Sequence, residues 1–471
     1  MSFNSIDYLV FLPVVFLLYW FVFKNLRIQN LLLVVVSYIF YGWWDWRFLI
    51  LIAFTSLCSY LTGIRIGKLK KVGGGKKYAA LNIVLNLLIL GVFKYYNFFV
   101  DNMQALLSGL GINANFESLN IILPVGISFY TFQALSYTID VYRGKIEATH
   151  DIVSFFAYIS FFPQLVAGPI ERATNLLPQM QKKRTFDYCQ AVDGIEQIVW
   201  GLFKKMVVAD NCAILVNDIW SSYQEQNTFT LISGAIFFTF QIYGDFSGYS
   251  DIAIGSAKLF GIKLMRNFRL PYFSLSIPDF WKRWHISLNT WFVDYLYIPL
   301  GGSRCVKWKW FRNTMAIFLV SGLWHGANWT FVCWGAYHAL LFLPYMLLGK
   351  TKVDSSLDKM TLRKAANIFV TFVLVVIGWV IFRSSDISEA YGYFTSIITN
   401  YSITPSTASL FDYRYIVLLL LIEWLGRNYE QPFKVVHHIR FMPIRFAIYS
   451  ASVLFVLIFA AASQGFIYFQ F

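Results

Sequence analysis

Apolar runs close to the length of a bilayer's hydrocarbon core recur from one end of this chain to the other, and that recurrence restricts the fold more than any other feature. A helix crossing a core of ~30 Å needs about 20 mostly apolar residues. Inside lipid every backbone amide has to be satisfied internally, so only helices and closed barrels persist there. The runs are continuous rather than alternating, which argues against a barrel. The expected fold class is therefore all-α integral membrane: a single membrane domain built as a polytopic bundle of about 11–12 transmembrane helices, with re-entrant and interfacial helices around a central cavity. The expected spans are 6–23, 30–42, 48–64, 79–99, 121–139, 194–216, 229–246, 313–329, 331–348, 365–383, 411–426 and 445–463. Composition agrees: of 471 residues 58% are hydrophobic and only 14% charged, a balance foreign to soluble domains.

The first run lacks a basic residue before it and a small-residue cleavage site after it, so it reads as a retained helix. The loops sort by charge. One set holds the cations: Lys24 and Arg27, Arg65 to Lys77 with Lys70 and Lys71, Arg143 and Lys145, Arg304 to Arg312, Lys350 to Lys364 with Lys352, and Arg427 to Arg440. Loops 100–120, 217–228 and 384–410 carry no Lys or Arg. The positive-inside rule places the first set in the cytoplasm and both termini outside. It also accounts for most of the net charge of +14 without invoking nucleic acid. Cys58, Cys189, Cys212, Cys305 and Cys333 form no C-x-x-C pair, and small buried hydrophobes are expected rather than disulfides or a metal site.

Two stretches do not fit spanning helices. Residues 152–193 begin apolar and are then broken by Pro163, Gly168, Pro169 and Pro178, the pattern of a re-entrant or interfacial hairpin. Residues 247–302 are polar-aromatic and too interrupted to span. Irregular backbone at membrane depth is tolerated where protein or water surrounds it, so both stretches are expected to line a cavity.

Within the second stretch lies "SIPDFWKRWHISLNTWF", 276–292. Ser276 suits a helix cap, Pro278 a first turn and Asp279 a helix start. At about 100° per residue Trp281, Trp284, His285, Leu288 and Phe292 share one face and Arg283 points the other way, which predicts an amphipathic interfacial helix. Further on, "SGLWHGANWTF" (321–331) places His325 inside an apolar run. Ten residues separate Met315 from His325, ~15 Å along a helix, which puts the imidazole near the bilayer midplane. Ionisable groups at that depth are costly and point to function, and a neutral imidazole is the form that accepts a proton. Gly326 admits a close neighbour and Asn328 offers donors and acceptors. "FTFQIYGDFSGYSDIAIG" (238–255) sets Asp245, Tyr249 and Asp251 at the cytoplasmic end of a span, where Asp245 either orients a histidine or pairs with a nearby cation. His338 falls on a different face from His325 if the helix is unbroken, and reads as structural; His437 and His438 read as solvated. "VGGGKK" (72–77) lacks the Ser or Thr of a phosphate-binding loop, and neither a His-x-x-x-His metal pair nor a G-x-S-x-G elbow occurs.

Taken together, "PVGISFYTFQALSYTIDVYRG" (124–144), "FFPQLVAGPIERATNLLPQM" (161–180), the segment 244–302 and "GLWHGANWTFVCWGAYH" (322–338) resemble the membrane-bound O-acyltransferase family over most of 120–345. The ends resemble it only in being hydrophobic. "FWKRWHISLNTWFVDYLYIPLGG" and "SGLWHGANWTF" are similar to its bacterial branch that O-acetylates alginate and peptidoglycan. The resemblance carries the family's invariant histidine onto His325 and its second motif histidine onto His285. It implies a catalytic core over 120–345, a donor of acetyl-CoA entering from the cytoplasm, and no permanently bound cofactor and no metal. It further implies a multi-pass protein of the bacterial cytoplasmic membrane, an extracytoplasmic partner of the SGNH-hydrolase type, and a polysaccharide as ultimate acceptor.

In this reading His325 acts as general base on the acceptor hydroxyl or carries the acetyl group covalently. His285 positions or polarises the donor carbonyl. Trp281, Trp284, Asn289, Asp245, Tyr249, Trp324 and Asn328 line the substrate path, and Lys282 and Arg283 attract the donor's phosphates. Transfer of D-alanyl or another small acyl group to cell-wall polymers is the nearest alternative. A transporter or flippase of envelope precursors suits midplane polar groups as well, and a scaffold with structural histidines is the third.

Overall fold

The computed structural model describes residues 1–70, 74–112, 116–119, 121–166, 168–349, 355–405 and 407–467. Lys71, Lys350 and Lys352 lie outside the described residues, as do Val72 and Gly73 of the glycine run and the side chain of Lys70. The described residues form helices and connecting segments with no strand among them.

Six helical stretches are long and apolar enough to cross a membrane: Leu26–Leu69, Lys76–Gly109, Thr228–Leu259, Trp329–Leu347, Leu362–Arg383 and Met442–Phe459. The chain is an all-α polytopic membrane protein. The remaining expected spans are short or interrupted. The span 6–23 is a helix of 12 residues continued by a π-helical turn at Leu18–Val22, and 411–426 is a helix of 12 residues. The helices gather into two compact units.

The first unit comprises Met1–Gly194 with Ser256–Met265. Its helices are α1 (Ile6–Leu17), α2 (Leu26–Asp45), α3 (Leu49–Lys70), α4 (Lys76–Leu90), α5 (Tyr96–Gly109), α6 (Ile127–Arg143), α7 (Ile152–Ser160), α8 (Phe162–Leu165) and α9 (Ala173–Gln181). The proline-broken stretch is thus three short, largely buried helices. Asn30 of α2 ties them down, donating to Ser154 Oγ at 3.0 Å and to the Met180 carbonyl at 2.7 Å while accepting from Arg184.

The second unit comprises Ile195–Gly255 and Arg266–Phe471. It contains most of α10 (Tyr188–Leu202), α11 (Asp210–Ser221), α12 (Thr228–Leu259) up to Gly255, α13 (Ile277–Arg283), α14 (Ile286–Phe292), α15 (Lys307–His325), α16 (Trp329–Leu341), α17 (Leu343–Leu347), α18 (Leu362–Arg383), α19 (Ile387–Thr399), α20 (Arg414–Leu425) and α21 (Met442–Phe459). Here α12 corrects the sequence reading: it runs unbroken for 32 residues, so Asp245 lies inside the helix rather than at its end.

Small residues explain how that polar stretch stays helical. A methyl group on Gly248 would stand 2.7 Å from the Gly201 carbonyl oxygen, and one on Gly244 would stand 2.8 Å from that of Lys204. The backbones therefore meet closely, as small residues permit between membrane helices. A π-helical segment at Phe203–Ala209 follows α10 and carries Lys204 and Lys205. Lys204 pairs with Asp251, while Lys205 Nζ reaches Asp245 Oδ1 at 2.7 Å and Asp210 Oδ1 at 2.8 Å. The acids of α12 are thus neutralised from the facing segment.

The cysteines also depart from expectation. All five are free, but only Cys212 is buried; Cys189 and Cys333 are exposed. Cys333 lies on a helical stretch apolar enough to cross a membrane, where lipid shields a thiol from water as well as protein does. His437 is exposed, as expected, and its Nε2 also lies 2.7 Å from Oε1 of the buried Glu196.

Candidate active site

The segment 276–292 starts as its sequence dictates. The Ser276 hydroxyl accepts from the Asp279 amide at 3.3 Å, and Pro278 sits in the first turn. The predicted continuous amphipathic helix does not form, however. α13 ends at Arg283, and His285 adopts φ 44° and ψ 54° before α14 begins. A left-handed conformation is unusual for a residue with a Cβ and costs of order 1–3 kcal/mol, so the surroundings must impose it. They do so with hydrogen bonds: the Ile286 amide donates to the Asn267 carbonyl at 2.9 Å, and the Ser287 hydroxyl to Asn267 Oδ1 at 2.6 Å. Asn289 Nδ2 donates to the carbonyls of Trp281 and Trp284 at 2.7 and 2.6 Å, stitching the two half-helices together.

The break redistributes the side chains. Arg283, expected on an outer face, is turned inward: Nε donates to Asp279 Oδ1 at 2.9 Å and Nη2 to the Ser355 carbonyl at 2.6 Å. Lys282 remains exposed. Most of the rest is buried, so the segment is a kinked internal element rather than a surface-lying helix. Trp281 packs against Phe318, Trp334 and His338, whereas Trp284 packs against Phe268 and Trp379.

The other histidine also stands at a helix break. α15 ends at His325, Gly326 is extended, and Asn328 caps α16 by accepting from the Thr330 amide at 3.1 Å. The Asn328 amide donates to the Ser385 carbonyl at 2.6 Å, fixing the turn. α15 and α16 fold back as a hairpin made close by glycine. A methyl group on Gly322 would stand 2.1 Å from the Phe331 carbonyl oxygen, one on Gly335 2.2 Å from that of Phe318, and one on Gly326 2.0 Å from the Phe331 ring.

The two breaks bring the histidines together. The rings of His285 and His325 lie 6.4 Å apart between centroids, with Trp324 5.7 Å from the first and 5.0 Å from the second. Phe246 stands edge-on to His285 at 4.6 Å; Trp334 and Phe382 stand edge-on to His325 at 5.2 and 5.3 Å. Both imidazoles are almost wholly buried, at 1% and 4% exposure. Burial pushes the His285 pKa down, so that ring stays neutral.

Asp245 and Tyr249 belong to the edge of this site. Asp245 binds Lys205 and accepts from the Ile467 amide at 2.7 Å, and the Tyr249 ring packs on Phe466 at 4.3 Å. Sequence reasoning missed Phe246, Asn267, Trp334 and Lys205 as parts of the cage and its support. It also set His338 apart, comparing its face with that of His325 as if along one helix although two spans were expected. The hairpin instead brings His338 to 5.0 Å from both Trp281 and Trp334, one ring away from His325. The signal was present: Gly326 and Asn328 are a helix stop followed by a helix cap.

The hairpin's dependence on glycine gives an expected result. Gly322→Ala drives a methyl group into the backbone of α16 rather than into a flexible side chain. The helices must separate, at a cost of ~1–3 kcal/mol typical of overpacking. Thermal unfolding of the purified variant in detergent measures the loss, and an unchanged midpoint would show that the hairpin yields freely.

The two buried imidazoles thus sit side by side inside an aromatic cage; comparison with known proteins identifies the family of the chain as a whole. Residues 38–383 match the model of the MBOAT, membrane-bound O-acyltransferase family. The chain is 41% identical over 393 residues to a protein of Pseudomonas aeruginosa named "Probable alginate O-acetylase AlgI", covering 83% of this chain and 74% of that one. It is 34% identical to the peptidoglycan O-acetyltransferase of Helicobacter pylori, over 81% of this chain and 76% of that one. It is 30% identical to the teichoic acid D-alanyltransferase of Bacillus subtilis, over 56% and 69%. This chain is an acyltransferase and belongs to the membrane-bound O-acyltransferase family.

Proposed function

We propose that the chain moves an acetyl group from cytoplasmic acetyl-CoA across the bacterial cytoplasmic membrane to an extracytoplasmic acceptor. The acceptor is a hydroxyl of an SGNH-type partner protein or of a cell-envelope polysaccharide, and both termini face outward. The observation that carries this reading is the pair of buried histidines at two helix breaks, in a chain most of whose length aligns with O-acetylating relatives. The D-alanyl-transferring relative aligns over a smaller share of the chain, which favours acetyl as the group moved.

A cytoplasmic thioester and an external hydroxyl react only if one site receives both. His325 takes the proton of the acceptor hydroxyl as its oxygen attacks the thioester carbonyl carbon. His285, a ring's width away, holds the donor carbonyl as negative charge develops on its oxygen. The C–S bond then breaks, the acetyl ester leaves on the acceptor, and the thiolate collects the proton from His325. The aromatic walls exclude water, which would otherwise hydrolyse the thioester.

The test is a gene deletion restored with wild type or with His325→Ala at equal membrane levels, with ester-linked acetate on envelope polysaccharides measured by mass spectrometry. Wild type is expected to restore acetate and the variant to leave it absent. Equal acetate in both strains sinks the reading. Solute accumulation by wild-type protein in vesicles, unaffected by His325→Ala, would assign transport instead.

A further inference from the structure

A polar cleft opens beside the histidine cage, between the chain segments 266–270 and 426–432, with Lys204, Tyr243, Ser247 and Asp251 on its far wall. The acids around it are already occupied. Asp251 pairs with Lys204, Glu430 lies 3.4 Å from Lys434, and Glu423 accepts from the Tyr243 hydroxyl. Three guanidinium groups line the same cleft, and none has a carboxylate at ion-pair distance among the described residues: Arg266 reaches the Glu430 carbonyl, Arg427 the Trp424 carbonyl at 2.8 Å, and Arg269 is exposed. Among the described residues, Arg427 Nε and the hydroxyl of Ser247, a residue only 1% exposed, have no hydrogen-bond partner.

The cleft is one side-chain layer from the histidines. Asn267, a wall residue, holds Ile286 and Ser287 directly after His285 and donates to Ser250 at 2.8 Å. Phe268, the next wall residue, packs at 5.0 Å on Phe246, and Phe246 stands against His285.

We infer that this cleft binds the phosphate groups of the donor, with Arg266, Arg269 and Arg427 as the anion clamp and the Phe246–Phe268 pair as the layer between the clamp and His285. This rests on the acetyl-transfer reading and moves phosphate recognition away from Arg283, which is committed to Asp279 and Ser355. Guanidinium forks match phosphate oxygens in pairs, and here neighbouring acids leave them free to do so. Segments 266–270 and 426–432 adjoin loops assigned to the cytoplasm by charge, the side from which a phosphorylated thioester arrives. An anionic lipid headgroup offers the same phosphate chemistry.

The test uses full-length protein in phosphatidylcholine nanodiscs, titrated with acetyl-CoA, adenosine 3′,5′-bisphosphate and inorganic pyrophosphate. Arg269→Gln, at an exposed position whose guanidinium has no hydrogen-bond or ion-pair partner among the described residues, tests the clamp without threatening the fold; Arg266→Gln/Arg269→Gln/Arg427→Gln tests all of it. Each guanidinium lost should weaken binding about 10- to 100-fold, the effect of one charge-assisted hydrogen bond, and raise KM for acetyl-CoA more than it lowers kcat. Unchanged affinity for all three probes in a folded triple variant overturns the inference. If added phosphatidylglycerol displaces pyrophosphate from wild type while acetyl-CoA neither competes nor binds, the phosphate belongs to a lipid and the donor assignment is overturned. Wild type that transfers acetate with the same KM as the triple variant sinks the clamp but not acetyl transfer. Wild type that binds the bisphosphate through these arginines yet transfers nothing sinks acetyl transfer but not the clamp.

Discussion

His325→Ala is expected to lower acetyl transfer by about 10²- to 10⁴-fold, the contribution of a well-placed general base, while KM for acetyl-CoA changes little. The split follows from geometry. His325 closes α15 on the side of Trp334 and Phe382, whereas the charged cleft reaches His285 through Asn267 and Phe268. Donor binding and proton removal therefore rest on different residues, and His285→Ala should raise KM more than His325→Ala does. Truncating a buried ring also leaves a cavity, so thermal midpoints must accompany the rates. Mixing wild type with labelled acetyl-CoA in the absence of acceptor separates the two roles open to His325. A base leaves the protein unlabelled; acetyl bound to His325 would replace proton removal by a covalent relay. A loss under tenfold in folded His325→Ala would remove this histidine from the chemistry.

How much of this was legible beforehand depended on the range of the interactions. The all-helical membrane fold follows from hydropathy, and the start of α13 from three adjacent residues, Ser276, Pro278 and Asp279, because both signals are local. The kink at His285 was not legible, since its left-handed backbone is held by Asn267, eighteen residues earlier, and by Asn289 bridging two carbonyls. A break between the spans 313–329 and 331–348 was legible, a few residues past the turn at Gly326–Asn328; His338 was set apart only because its face was compared with that of His325 along one unbroken helix, whereas the helix in fact reverses. For α12 the polar interruptions suggested an end to the span. What keeps it helical is supplied by another segment: Gly201 meeting Gly248, and Lys204 and Lys205 neutralising Asp251 and Asp245. Periodicity within one segment carries no information on such partners.

That neutralisation yields the second large effect. Lys205→Met should destabilise the protein by about 3–5 kcal/mol, because it strands charges that were buried as a group. Lys205 Nζ lies 2.7 Å from Asp245, 2.8 Å from Asp210 and 3.0 Å from the Gln464 carbonyl, and the side chains of Lys205, Asp210 and Asp245 are 1–3% exposed. Without the cation, two carboxylates face each other away from water, and the structure must open or take up protons. Lys205→Met/Asp210→Asn/Asp245→Asn removes the charges together and should regain most of the lost stability, since polar groups of similar shape remain. Thermal unfolding in detergent reads both variants. Transfer assays on the folded fraction should show a second consequence: Asp245 precedes Phe246, whose ring stands against His285, so the single variant should lose activity beyond its loss of folded protein. If the triple variant is no more stable than the single one, unpaired charge is not the cause. The lysine's bond to the Gln464 carbonyl, and with it the seating of segment 464–467 against α12, would then be what holds this part of the unit together.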